Sequence, residues 1–341
     1  MPSHWLFRNI DVSGTGTKAK GFEPPGMPQV DESDPYMEDA DRARLKLLQR
    51  QKEDRLQAQA DLLADAYVKN VFRQIDKLMK YNYTGLAVLN HLNSAAGRCG
   101  SVQIKPFLQW EQLKFNGMSD PSHVPTPWTD ASKSCNAEAT PAATSPMLPS
   151  CSVTRQGNEV NVEYSPDAFE RGSVCNSMAQ QFGVVSWSEP DEFLLHELVH
   201  ALRFVTGRFD GAHPFFNRDN MFLYDNIEEF LAILIANTYR SEQGRNGLVS
   251  FEHMLVDWRP PERLPWAKAY GDRFLGAVVN CKKPSATRIE NLNVPHVRAL
   301  AILYRQESAL FHDIAMAGGI FNPIKFYIMH RPIYDRAVGM G

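Results

Sequence analysis

No apolar run reaches the roughly 18 residues that a membrane-spanning helix needs, so no span is expected. Positive charge is not in excess either: 36 Lys and Arg stand against 39 Asp and Glu, for a net charge of −3 and a pI near 6.4. Without a basic field the chain has no general means of holding a phosphate backbone, and no nucleic-acid partner is expected. Cysteine is sparse. Cys99, Cys135, Cys151, Cys175 and Cys281 never fall in CxxC spacing, which argues against a cysteine zinc knuckle. Their odd number leaves at least one thiol free or paired between chains. Cys135 and Cys151 bracket a Pro/Ser/Thr/Ala-rich loop and could be joined, with reduced thiols as the ordinary alternative. The opening residues MPSHWLFRNIDVSGTG lack a charged head followed by an apolar core, so they do not read as a secretory signal peptide.

What is present suits a folded enzyme-sized chain. The 341 residues are 43% hydrophobic and 22% charged, enough for one large domain or two modest ones. Residues 1–35 are rich in Gly, Pro, Ser and Asp and read as a flexible arm, either a docking or delivery segment or a plain terminus. Residues 36–84 read as a helical extension, with one long helix from about Asp39 to Tyr81. Its first half is charged and Gln-rich, a solvated surface or one that needs a partner. Its second half carries Val68, Val71, Phe72, Ile75, Leu78 and Met79 at helical spacing, a stripe for packing.

The remainder, 85–341, reads as the main domain. It opens with a helix from Leu86 to Ala96 ended by Gly97, then a strand in SVQIKPFLQW. Residues 115–158 hold six prolines and read as a long irregular insertion. NEVNVEY alternates Val160, Val162 and Tyr164 and predicts a strand, followed by the shorter apolar run FGVVSW. Ser188 to Asp191 predicts a helix start, with Ser188 as cap. Further helices are predicted over 226–240, 266–279 and 295–317. Helices, a few strands, then helices indicate an α+β fold.

The central helix holds the chemistry. In DEFLLHELVHALRFVTG, at 100° per residue, His196, His200 and Phe204 fall within about 80° of one another and Glu197 lies beside them. Leu194, Leu195, Leu198, Ala201, Leu202 and Val205 occupy the opposite side. Two imidazoles one turn apart can share one Zn²⁺ at 2.0–2.1 Å. A carboxylate next to the first can take a proton from water and hand it to a leaving amine. His196 and His200 are therefore the expected ligands and Glu197 the expected general base, against the plainer reading of a core helix that bears histidines.

A catalytic zinc needs a third protein ligand. No GxxH follows the motif. Asp210 and His213 lie in the next loop, and NIEEFLAILIANTYR offers Glu228 and Glu229. Glu229 shares a face with Ala232, Ile233 and Ala236, a small apolar surface where a carboxylate is costly unless bound. It is the preferred third ligand. Glu228 points elsewhere and could accept a hydrogen bond from a ligand histidine. Tyr224, His213, Arg203 and Tyr239 are the candidates for stabilising an oxyanion, with Tyr224 preferred.

HELVH followed by an EExxA-type helix resembles the gluzincin zinc metalloproteases, and most of all the NleD-related effector and toxin peptidases of bacterial secretion systems. The resemblance spans roughly residues 85–245. It implies a zincin-like fold, mostly helical with a small sheet, and zinc-dependent hydrolysis of a protein substrate. It also implies His196, His200 and Glu229 as ligands, Glu197 as base, and delivery into another cell. Where the lethal-factor branch of that family has a tyrosine seven residues before its glutamate ligand, this chain has Phe222, with Tyr224 close by. In a zincin arrangement NEVNVEY would be the edge strand that pairs with an extended substrate.

The expectation is thus a zinc endopeptidase, cytoplasmic until it is exported without a signal peptide. Its N-terminal region could meet a secretion-system component or chaperone. Two rivals stay open: a hydrolase of non-peptide amides, and a non-catalytic binding protein with a structural HExxH helix.

Overall fold

The computed structural model describes residues 9–12, 39–80, 82–106, 138–141, 158–170, 189–212, 215–216, 222–224, 226–245, 248–249, 255–256, 274–279 and 287–341. Among these the chain is mostly helical with a small sheet, an α+β architecture.

Helix α1 (Asp39–Met79) divides as its sequence does. Leu47, Leu48 and Leu62 stand in solvent. Among the described side chains of α1, burial begins at Tyr67 and continues with Val71, Ile75 and Leu78 at helical spacing. Tyr67 Oη donates to the carbonyl of Tyr164 at 2.9 Å. Tyr164 Oη in turn donates to the carbonyl of Pro190 at 2.6 Å. The packed half of α1 is thereby tied to the first residue of the HELVH helix and shares its core.

Helix α2 (Tyr83–Cys99) starts at Asn82, whose side chain accepts from the Gly85 amide. It runs past Gly97, where Ala96 was expected to be its last residue. A Cβ on Gly97 would sit 2.6 Å from Asn9 Nδ2, so this glycine provides close approach rather than a stop. Asn9 is held there by Asn93, and it introduces β1 (Ile10–Val12). Part of the supposed flexible arm is therefore a strand.

α2 leads directly into β2 (Gly100–Lys105). With β3 (Glu138–Pro141) and β4 (Asn158–Glu163) the sheet runs in the order β1-β2-β4-β3. β1, β2 and β4 are parallel, with Val102 opposite Val160 and Ile104 opposite Val162, all four buried. β3 is antiparallel to β4 and covers it. NEVNVEY is thus an inner strand, and the edge comes from the proline-rich insertion.

Helix α3 (Pro190–Val205) is the HELVH helix. Its cap position is Glu189, with no side-chain cap bond; Ser188 and the FGVVSW run lie outside the described residues. Pro190 at the first position fits an unpaired donor, and Asp191 and Glu192 favour the positive end of the helix dipole. The six apolar residues opposite the histidines are all buried, each leucine contributing about 1.5–3 kcal/mol. α3 lies against α1, α2, β3, β4 and α4 (Ile227–Glu242).

The C-terminal part departs from expectation at three places. Ala277–Val279 is a strand, β9, paired with β10 (Arg288–Glu290), where a helix was predicted through Val279. Two short antiparallel pairs flank α4, β5 (Phe215–Phe216) with β6 (Phe222–Tyr224) before it and β7 (Leu248–Val249) with β8 (Leu255–Val256) after it. The helix predicted over 295–317 is broken at Glu307 into α5 (Val294–Gln306) and α6 (Ser308–Ile314). A final helix, α7 (Pro323–Ala337), was not foreseen; it tolerates Pro332 through a kink at His330. Cys99 is disulfide-bonded, while Cys135 and Cys151 lie outside the described residues. No helix among the described residues is long and apolar enough to cross a membrane.

Candidate metal centre

Two helices build the site. α3 presents His196 and His200 on one face, one turn apart. α4 begins at Asn226, whose side chain accepts from the amides of Glu228 and Glu229, both at 2.9 Å. That cap fixes Glu229 in the first turn, facing the histidines.

The donor atoms converge. His200 Nε2 lies 3.0 Å from His196 Nε2 and 3.1 Å from Glu229 Oε1. His196 Nε2 lies 3.2 Å from Glu229 Oε2. Ligand bonds of 2.0–2.1 Å in tetrahedral array would put neighbouring donor atoms about 3.3 Å apart. The His196–His200 separation is near that edge, while the two histidines meet different oxygens of the Glu229 carboxylate; two imidazoles with one carboxylate are a zinc-type donor set. Among the described residues these three form the group of His, Cys, Asp and Glu side chains with ligand atoms within 4.8 Å of one another. The three residues could hold a metal ion.

The electrostatics match the crowding. Burial alone would raise the Glu229 carboxyl and lower His200. Hydrogen bonds and charge from both histidines instead hold Glu229 well below the usual carboxylate range. Glu229 and Glu197 together raise His200 against its own burial. Glu197 is buried on the same helix and close enough to act on His200. The His200 ring meets Phe209 edge-on at 6.0 Å, and Phe209 stacks on Phe204 at 3.9 Å. Its Nδ1 is buried without a hydrogen-bond partner among the described residues.

The other expected residues go elsewhere. Glu228 does not back a ligand histidine. Its carboxylate takes Arg203 Nε and Nη2, each at 2.9 Å, and the Asp210 amide at 2.9 Å. Arg203 is consequently no oxyanion donor; its guanidinium also reaches Glu307, Gln306 and the Arg208 carbonyl. Tyr239 donates to Asp191 at 2.6 Å and sits in a second buried charge cluster. There Arg240 and Arg245 hold Glu192, and Arg245 also holds Asp191. Tyr224 stands among Phe215, Phe230 and His296, where burial pushes its phenol up. His213 lies outside the described residues.

Sequence reasoning missed Glu307, the cap Asn226 and the buried His296. Asn226 had a legible signal, a capping residue just before an acidic pair. Comparison of the chain with protein-family models, with curated proteins and with solved structures found no match in any of the three.

Proposed function

We propose that this protein is a zinc-dependent endopeptidase with a zincin-like fold, acting on a protein substrate. The observation that carries the reading is the convergence of His196, His200 and Glu229, with Glu197 on the same helix as the histidines. A zinc ion held there supplies Lewis-acid polarisation of a carbonyl. Glu197 takes a proton from the attacking water and returns it to the leaving amine. Among the described candidates Tyr224 is the one left for oxyanion stabilisation, since Arg203 and Tyr239 are committed to buried carboxylates, and reaching the site from its cluster with Phe215, Phe230 and His296 would need it to move. β3, antiparallel at the sheet edge and beside α3, offers an extended peptide a strand to pair with. The likeness of HELVHALRFVTG and its EEF helix to secretion-system effectors extends the proposal to a cytoplasmic protein delivered into another cell by a signal-independent route.

The test is zinc content together with cleavage of a peptide library. Wild type should hold near one zinc and cleave. Glu197→Gln should hold zinc and lose cleavage by about 10²-fold or more, whereas Glu229→Ala should lose the metal. A wild type that takes up no zinc when it is supplied would overturn the reading.

A further inference from the structure

The acidic pair at the start of α4 divides its labour. Glu229 faces the histidines and Glu228, one residue earlier, faces Arg203. Arg203 is three residues beyond His200 on α3. One buried, bidentate pair therefore joins the two ligand-bearing helices within three residues of a ligand on one and one residue of a ligand on the other. We infer that Glu228 and Arg203 are positioning residues that hold the Glu229 carboxylate between the histidines before any metal arrives. The inference rests on the proposed zinc site.

Three features separate this pair from a plain structural ion pair. The first is rigidity: a planar guanidinium gripping both carboxylate oxygens fixes rotation as well as distance, which a point charge cannot do. The second is saturation. Arg203 also donates from Nη1 to Glu307 at 3.0 Å, and from Nη2 to the Arg208 carbonyl at 2.6 Å and to Gln306 Oε1 at 2.7 Å. Glu228 Oε1 additionally takes the Asp210 amide. Each group is 1% exposed, and every guanidinium nitrogen and both carboxylate oxygens have a partner, which leaves little slack for either helix to turn. The third is leverage. Successive residues on a helix point about 100° apart, so any rotation of α4 that relaxed Glu228 would swing Glu229 out of the histidine edge.

The same guanidinium supplies its own control. Glu307 is another buried acceptor of Arg203, shared with Arg208, and it lies at the α5–α6 break, remote in sequence from every ligand. Glu228→Gln and Glu307→Gln each remove one negative charge from one hub. Only Glu228 is coupled to Glu229 through the backbone.

The experiment compares full-length wild type, Glu228→Gln, Glu307→Gln and Arg203→Lys, all well below their melting temperatures. Zinc affinity is read by competition with a chromophoric chelator, and coordination geometry by the visible spectrum of the Co²⁺ form. Glu228→Gln should weaken zinc binding by about 10- to 100-fold and change the Co²⁺ spectrum. Glu307→Gln should lower the melting temperature comparably and leave both metal readouts at wild-type values. Arg203→Lys, which keeps the charge and loses the fork, should fall on the Glu228→Gln side and provides the reading if that variant does not fold. Equal loss of affinity in Glu228→Gln and Glu307→Gln, or no loss in either, would overturn the positioning role while leaving the zinc site intact. A wild type that binds neither Zn²⁺ nor Co²⁺ would instead overturn the proposed function, and this inference with it.

Discussion

The two ends of the HELVH helix are each pinned to the α4 helix, but in different ways. At its start, Glu192 meets Arg240 near the end of α4; at its finish, Arg203 meets Glu228 at the start of α4. The helices therefore run antiparallel, with acids at both N-termini and arginines near both C-termini. Each charge suits its own helix dipole as well as its partner. The difference lies in redundancy. Glu192 is held by two arginines, Arg240 and Arg245, whereas a single guanidinium serves Glu228 and also carries Glu307. The end nearer the Glu229 ligand is the one with, among the described residues, no spare cation for Glu228.

The largest expected effect breaks that contrast directly. Arg203→Met strands the buried Glu228 carboxylate, while Glu307 keeps Arg208, and should cost about 3–5 kcal/mol, the range for a buried charge left unpaired. Arg240→Met leaves Glu192 with Arg245 and should cost about 1–3 kcal/mol. Urea unfolding of the two variants decides; equal losses would show that redundancy has no energetic meaning here.

A second measurement asks what acid does to the neighbourhood of α4. His296 is buried against Phe274 and Phe230, and burial lowers its pKa to about 4, although its Nδ1 donates to the Phe274 carbonyl. The unfolded chain binds this proton near pH 6.5 and the folded chain does not until about 4. The unfolded state thus carries more protons in that window, so stability falls as pH drops from 6.5 to 4 and levels off below. The shift corresponds to roughly 3 kcal/mol. His296→Phe should flatten that part of the stability–pH curve; a variant with the wild-type slope would place the acid sensitivity in the ion-pair clusters instead.

The smallest effect belongs to α1. Leu62 is 68% exposed, and Leu62→Gln should change stability by no more than about 0.5 kcal/mol. The completely buried Leu78, on the same helix, should cost about 2–5 kcal/mol on truncation to Ala. Thermal melts of the pair locate where the core begins along α1.

Legibility in the sequence followed the range of the interaction. α3 could be read because its face segregation is local and periodic, and Glu229 could be told from Glu228 because one residue is about 100° on a helix. β1 and β3, three and four residues long, could not be read. Strands that short gain their stability from the partners they lie beside rather than from their own composition. β3 also sits in a proline-rich stretch, which masked it and made β4 look like an edge. α7 hid behind Pro332, whose cost is absorbed at a kink. The Arg203 hub was out of reach altogether, since its partners are 25 and 104 residues away.

The lone Nδ1 of His200 bears on exchange kinetics. A ligating imidazole gains basicity when its other nitrogen donates to a carboxylate or carbonyl, and among the described residues His200 has no such acceptor. An ion bound through it would be held by a poorer electron donor than a carboxylate-backed histidine provides. If the proposed zinc site is real, such a centre would hold its ion more weakly than a backed one and give it up sooner to a chelator.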